Sequence, residues 1–76
     1  MDVTVYRTPT CPFCKMTNEF LKKHNIEFRE VNVAEDRDGA KEMIERSGQV
    51  GVPVVDIDGT VIVGFDREKI ESALGM

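Results

Sequence analysis

The two cysteines of this chain lie in the tetrapeptide Cys11-Pro12-Phe13-Cys14, which four residues separate from an apolar run at residues 3–6. The apolar run predicts a strand, and the pattern after the pair predicts a helix that begins at Pro12. Residues three apart on a helix have Cβ atoms roughly 5–6 Å apart, and a disulfide closes across Cα separations of about 4.4–6.8 Å. The spacing therefore predicts a disulfide that opens and closes with little backbone movement.

The two sulfurs are expected to differ in reactivity because they occupy different positions on that helix. Pro12 suits the first helical position, where a missing N–H costs nothing. Cys11 then falls at the cap, where free amides and the positive end of the helix dipole favour thiolate over thiol. We expect Cys11 to be a partly exposed nucleophile and the deeper Cys14 to resolve a mixed disulfide formed on it.

Other uses of a cysteine pair fit the sequence less well. A structural staple between residues three apart would restrict the unfolded chain little, because it closes almost no loop. A zinc site needs about four ligands, and His24, on the same predicted helix, is the only histidine of the chain. We therefore interpret His24 as a helix C-terminal or packing residue, and no metal site is predicted.

Length and charge restrict the possible functions. The 76 residues suffice for a single domain, residues 1–76, and 41% of them are hydrophobic. The sequence has no charged-then-apolar leader and no apolar run of about 18 residues, so we expect a cytoplasmic location without membrane contact. The net charge of −4 argues against nucleic acid as a partner, since phosphate binding relies on clustered lysine and arginine. We expect a monomer whose thiols are catalytic rather than structural.

The pattern along the chain predicts the order β-α-β-α-β-β-α. Strands are expected at residues 3–6, 27–33, 52–57 and 60–63, and helices at residues 12–24, from Asp36 to Gly48, and after Asp66. The first strand, helix and second strand form a βαβ unit, and Asp58-Gly59 predicts a hairpin turn rather than a calcium loop. The result is an α/β fold with a four-stranded mixed sheet and helices on both faces.

Helical periodicity also predicts which side chains reach the core. The first helix carries one apolar face, formed by Phe13, Met16, Phe20, Leu21 and His24. The second helix has a shared face formed by Ala40, Met43, Ile44 and Ser47. Both Met16 and Met43 are therefore core candidates.

The segment Gly51-Val52-Pro53 places a proline at the beginning of an otherwise apolar strand. An ordinary proline that begins the strand is one interpretation, because proline cannot donate to a strand ladder. The other is a cis Val52-Pro53 bond, which costs little before proline. A cis bond would leave the Val52 backbone unpaired, so that an extended peptide could pair with it and present its sulfur to Cys11.

Three motifs together resemble the glutaredoxin family: the CPxC pair, a Val-Pro roughly forty residues later, and a Gly-aromatic-Asp after the hairpin, here Val63-Gly64-Phe65-Asp66. The resemblance covers essentially the whole chain. It implies a minimal thioredoxin fold, a redox-active cysteine pair with Cys11 as nucleophile, and a cis Pro53. It also implies a glutathione groove formed by Phe13, the Val52 backbone, Gly64, Phe65 and Asp66. The free amides of the helix that Asp66 opens suit a carboxylate.

The chain departs from the family pattern where glutathione would bind. Glutaredoxins usually have lysine three residues before the nucleophile, to pair with a glutathione carboxylate, and this chain has Thr8 there. Arg7 is adjacent, so Arg7 and Thr8 are both candidate binding residues. The segment Val63-Gly64-Phe65 also resembles the Ser-Gly-Phe of small redoxins that serve ribonucleotide reductase and take electrons from thioredoxin reductase.

The sequence therefore predicts a dithiol-disulfide oxidoreductase acting on protein disulfides or glutathione mixed disulfides, with no bound cofactor and with glutathione as co-substrate. One alternative is a redoxin that thioredoxin reductase reduces and that serves ribonucleotide reductase or other reductases. Another is a carrier in which Cys11 from two chains and two glutathione thiols hold an iron-sulfur cluster. Pro12 and Cys14 argue against the carrier, because the proline stiffens the loop and Cys14 competes for Cys11.

Overall fold

The computed structural model describes residues 2–76 and has the predicted order of elements. Its strands are β1 (Val3–Arg7), β2 (Arg29–Asn32), β3 (Val54–Ile57) and β4 (Thr60–Val63). Its helices are α1 (Pro12–Lys23), α2 (Arg37–Ser47) and α3 (Arg67–Leu74). None of the helices in residues 2–76 has the length and hydropathy that a bilayer crossing requires.

The strands form a mixed sheet in the order β2-β1-β3-β4. β1 pairs in parallel with β2, as a crossover through α1 requires, and antiparallel with β3. β3 and β4 form an antiparallel hairpin in which Ile57 is the partner of Thr60. This arrangement is a thioredoxin fold, and it confirms the predicted four-stranded mixed sheet.

Two strands are shorter than predicted. β2 begins at Arg29 rather than residue 27, opposite Thr4 of β1, and it ends one residue earlier, at Asn32. β3 begins at Val54 rather than at Val52, because Pro53 has no N–H to give to a ladder. Val52 therefore belongs to the loop before the strand.

Buried side chains fill both faces of the sheet, because successive residues of a strand point to opposite sides. The face covered by α1 and α3 contains a fully buried group, Val5, Leu21, Val55 and Ile70. The face covered by α2 contains a second buried cluster, Tyr6, Met43 and Val54. Helices on both faces are thus confirmed.

The buried stripe of α1 is rotated relative to the predicted apolar face. Phe13 and Met16, which the periodicity assigns to the core, are 58% and 45% exposed. The helix instead buries Cys14 and Thr17, and the Thr17 hydroxyl donates to the Phe13 carbonyl over 2.8 Å, which satisfies that hydroxyl. The rotation buries one cysteine and leaves Phe13 on the surface beside the other.

The predicted helix ends and the hairpin are confirmed in detail. Asp36 and Asp66 cap α2 and α3, each accepting from the amide three residues later, over 2.9 and 3.2 Å. Gly48 ends α2 in the left-handed conformation, with φ at 72°. Asp58 and Gly59 both have positive φ, as the two central residues of a type I′ turn require.

α2 packs closely on the sheet at Gly39, which is buried. A Cβ atom at this position would overlap Cγ1 of Val31 on β2. One turn later Met43 is buried as predicted, whereas Ile44, also assigned to the core by its spacing, is 42% exposed. The contact face of α2 is therefore set by the small residue Gly39 together with Met43.

Gly39→Ala is expected to lower the free energy of unfolding by about 1 kcal/mol, although alanine is the better helix former by a similar amount. The added methyl group must displace Val31, and overpacking costs about 1–3 kcal/mol. Urea unfolding followed by circular dichroism measures the change. Lys41→Ala, an exposed position on the same helix, is the control and should stay within about 0.5 kcal/mol of the wild type. Unchanged or higher stability of Gly39→Ala would contradict the close packing of α2 on β2.

Candidate active site

Cys11 lies at the N-cap of α1, with extended backbone angles of φ −94° and ψ 110°. Its Sγ accepts a hydrogen bond from the Cys14 amide over 3.1 Å, and Pro12 occupies the first turn as predicted. The first turn of α1 thus directs an amide N–H at this sulfur. Both cysteines are free thiols, and Cys11 is partly exposed.

Cys14 lies one turn into α1 and is only 1% exposed. Its burial, and next its hydrogen bond with Cys11, raise the pKa of this thiol from 9.0 to about 12. Cys14 therefore keeps its proton at neutral pH, whereas Cys11 is partly exposed to solvent. The sequence likewise predicts a partly exposed Cys11 and a deeper Cys14.

The bond between Val52 and Pro53 is cis, which decides between the two interpretations of this proline. The Pro53 carbonyl accepts from the Gly64 amide over 2.8 Å, and this bond joins the loop before β3 to the turn after β4. Within residues 2–76, neither the amide nor the carbonyl of Val52 takes part in a hydrogen bond. The Val52 backbone is thus free to pair with an extended chain.

A groove of about 520 Å³ runs along this loop. It brings together six residues that the sequence places in the binding site, namely Phe13, Val52, Pro53, Gly64, Phe65 and Asp66. Three further residues, Val63, Arg67 and Glu68, complete the lining. These three residues could have been predicted from the sequence, because they flank the Gly64-Phe65-Asp66 motif.

The far end of the groove is fixed to α1 through aromatic contacts. The rings of Phe65 and Phe20 meet edge to face, with centroids 6.0 Å apart. The Arg67 guanidinium lies 5.6 Å from the Phe20 ring centroid, and its Nε is 3.1 Å from Oε1 of Glu71. Among the described residues that line the groove, Arg67 is the only cation, and it is already paired.

Arg7 and Thr8, the other two predicted binding residues, do not line this groove. They line a separate cavity of about 310 Å³ that also contains both cysteines. There Nε of Arg7 lies 3.4 Å from Oε1 of Glu30, on the neighbouring strand β2. The structure therefore corrects the placement of Arg7 and Thr8, because the direction of Arg7 is set by its partner on β2.

Glu30 and Asn18, which also line this second cavity, were not among the predicted site residues. The Asn18 amide donates to Oε1 of Glu30, linking α1 to β2. The alternation of side chains along β2 could have identified Glu30. Because Val31 packs toward α2, its neighbour Glu30 must face α1.

His24 is confirmed as a helix-end packing residue. It forms the C-cap of α1, and its ring lies 4.5 Å from that of Phe20, centroid to centroid. Through Phe20, this ring also contacts the side chain that packs against Phe65 of the groove.

The two thiols should react very unequally with an alkylating reagent. With limiting iodoacetamide at neutral pH, Cys11 should be modified and Cys14 should stay unmodified, because Cys14 is buried and its pKa is raised. Peptide mass spectrometry after quenching measures the ratio. Labelling after unfolding in guanidinium is the control and should modify both cysteines alike. Equal labelling of the folded protein would contradict the assignment of Cys11 as the reactive thiol.

Comparison with known proteins places this site in a family. The family model for glutaredoxin matches residues 3–62. An uncharacterized glutaredoxin-like 8.6 kDa protein in the rubredoxin operon of Clostridium pasteurianum is 50% identical over 72 residues, covering 95% of this chain and 96% of that protein. Glutaredoxin 3 of Escherichia coli strain K12 is 34% identical over 86% of this chain and 78% of its own length.

Two further similarities extend this result. The glutaredoxin-like protein NrdH of Lactococcus lactis strain MG1363 is 36% identical over 90% of this chain and 93% of its own length. A crystal structure of a mutant of the thioredoxin-like protein BC3987 superposes with a TM-score of 0.91 at 34% identity, covering 96% of this chain and 94% of that one. With a cysteine pair at a helix N-terminus beside a cis-proline groove, the chain belongs to the glutaredoxin family of thiol-disulfide oxidoreductases.

Proposed function

We propose that this protein reduces disulfides in other proteins and uses both cysteines to do so. The observation that carries the proposal is the unpaired backbone of Val52, which lies in the same groove as Phe13, two residues from Cys11. An extended segment of a substrate protein pairs with this backbone, as added strands do at open sheet edges. Its disulfide then lies against the exposed sulfur.

The reaction takes two displacements. The Cys11 thiolate attacks one sulfur of the substrate disulfide and forms a mixed disulfide with it. The other substrate sulfur leaves as a thiolate, which takes up a proton. Cys14 then loses its proton and attacks Sγ of Cys11, which closes the Cys11–Cys14 disulfide and releases the second substrate thiolate. The substrate gains two electrons and the cysteine pair loses two.

We further propose that a protein of the thioredoxin reductase class returns these electrons more efficiently than glutathione. Glutathione carries two carboxylates, and the groove offers them one cation, Arg67, already paired with Glu71. Asp66 and Glu68 add negative charge to the same lining. Arg7, the other cation that the sequence suggested, pairs with Glu30 in the second cavity.

Glutathione, the donor that the sequence favoured over thioredoxin reductase, is the second candidate here, and two observations support it. The groove contains the residues that the family resemblance implies for glutathione, with the N-terminus of α3 at Asp66 available to a carboxylate. Glutaredoxin 3 is also among the relatives of this chain. An exposed ion pair contributes only about 0.2–1 kcal/mol, so the missing lysine weakens glutathione binding without abolishing it.

Reduction of the oxidised protein by each donor tests this order. We expect faster reduction by NADPH with thioredoxin reductase than by glutathione at millimolar concentration. Glu68→Lys, which replaces an acid of the groove lining by a cation, should raise the glutathione rate a few-fold at low salt, and this gain should fade as salt screens the new charge. Glu45→Lys, the same charge change at an exposed position of α2 outside the groove, is the control and should change the rate less. Faster reduction of the wild-type protein by glutathione would overturn the proposed order of donors.

A further inference from the structure

The second cavity, between α1 and β2, is lined by both cysteines and by several charged residues. The titratable groups that line it with Cys14 are Arg7 from β1, Glu30 from β2, Cys11 from the N-cap of α1, and Lys15, Glu19 and Lys22 from α1. Since a buried thiol must ionise to act as a nucleophile, these charges bear on the second displacement.

Arg7 and Glu30 are the two of these groups that strand geometry fixes in place. Nε of Arg7 lies 3.4 Å from Oε1 of Glu30, and the same oxygen accepts from the Asn18 amide. The Arg7–Glu30 approach is an ion pair without hydrogen-bond geometry, and the buried Nε has no other partner within residues 2–76. The two side chains therefore interact through their charges, without a hydrogen bond between them.

We propose that Arg7 and Glu30 control the resolving step, acting with opposite sign on the loss of the Cys14 proton. Arg7 stabilises the Cys14 thiolate, and Glu30 moderates that effect while it holds the guanidinium in position. Both are positioning residues, since neither touches the substrate disulfide. The inference rests on the dithiol route described under Proposed function, in which Cys14 is the second nucleophile.

The mixed disulfide is the state in which Arg7 matters most. In the reduced protein, burial dominates the raised pKa of Cys14, and the hydrogen bond and charge of Cys11 add to it. Both effects of Cys11 disappear once its sulfur is bonded to a substrate. Burial is then opposed by the backbone of Thr8 and by the charge of Arg7, both of which lower the pKa of Cys14.

The resolving step can be observed with an aromatic disulfide whose two identical thiolates absorb visible light. Attack by Cys11 releases the first thiolate in a phase whose rate depends on concentration. Attack by Cys14 on the mixed disulfide releases the second thiolate in a phase whose rate does not depend on the reagent concentration. Stopped-flow absorbance with equimolar reagent, between about pH 6 and 9, gives the rate of the second phase and its pH profile.

Arg7→Met should slow the second phase about 3- to 10-fold at pH 7 and move its pH profile upward, and Arg7→Lys should restore most of the rate. Glu30→Gln keeps the shape and the contact with Asn18, and it should speed the second phase about 2- to 5-fold. Arg29→Met is the matched control, because Arg29 is adjacent to Glu30 on β2 but lines a cavity on the other face of the sheet. Its second phase should match that of the wild type.

The opposite effects predicted for the two variants on the rate of the second phase distinguish electrostatic control from a structural role. If Arg7→Met and Glu30→Gln both slowed the second phase, or neither changed it, the inference would be overturned. Thermal unfolding checks that each variant is folded, and Glu30→Gln alone decides the question if Arg7→Met does not fold. A wild-type protein with no second phase would overturn the dithiol route itself, whereas a normal wild-type phase without opposite shifts overturns only the role of Arg7 and Glu30.

Discussion

The hydrogen bond from the Cys14 amide to the sulfur of Cys11 joins the chemistry of this protein to its fold. It requires Cys11 to have an extended backbone and the next residue to begin a helix, a requirement that Pro12 meets. Leu21, which is completely buried against the sheet, fixes α1, and with it Cys11, relative to the rest of the fold. The position of the Cys11 sulfur therefore depends on the packing of α1 against the core.

The same core positions the groove that we propose as the substrate site. The Pro53 carbonyl and the Gly64 amide connect the two loops that form its floor, and Phe65 packs against Phe20 of α1. The two cavities beside the cysteine pair differ in charge. The groove has one cation and two acids, whereas the second cavity has three cations, Arg7, Lys15 and Lys22, and two acids, Glu19 and Glu30. The groove proposed for the substrate and the cavity that Cys14 lines thus differ in their electrostatic surroundings.

Much of this arrangement follows from local sequence signals. Asp36, Asp66 and Asp58-Gly59 act through hydrogen bonds and dihedral angles within a few residues, so the helix starts and the hairpin were predictable. Contacts between residues that are distant in sequence could not be predicted in this way. The rotation of α1, which exposes Phe13, depends on which small side chain fits against β1, and the direction of Arg7 depends on Glu30 of the parallel neighbour. The isomer of the Val52-Pro53 bond likewise stayed open between two interpretations until the structure showed it to be cis.

The central claim is that Cys11 attacks and Cys14 resolves. Mass spectrometry of each serine variant after incubation with a disulfide-bonded peptide tests it directly. Cys14→Ser should accumulate a covalent adduct on Cys11, because the sulfur that would displace the peptide is missing. Cys11→Ser should accumulate none, because the remaining thiol is buried and holds its proton. An adduct on Cys14 in the Cys11→Ser protein, or release of both peptide thiols by Cys14→Ser at the wild-type rate, would contradict the account.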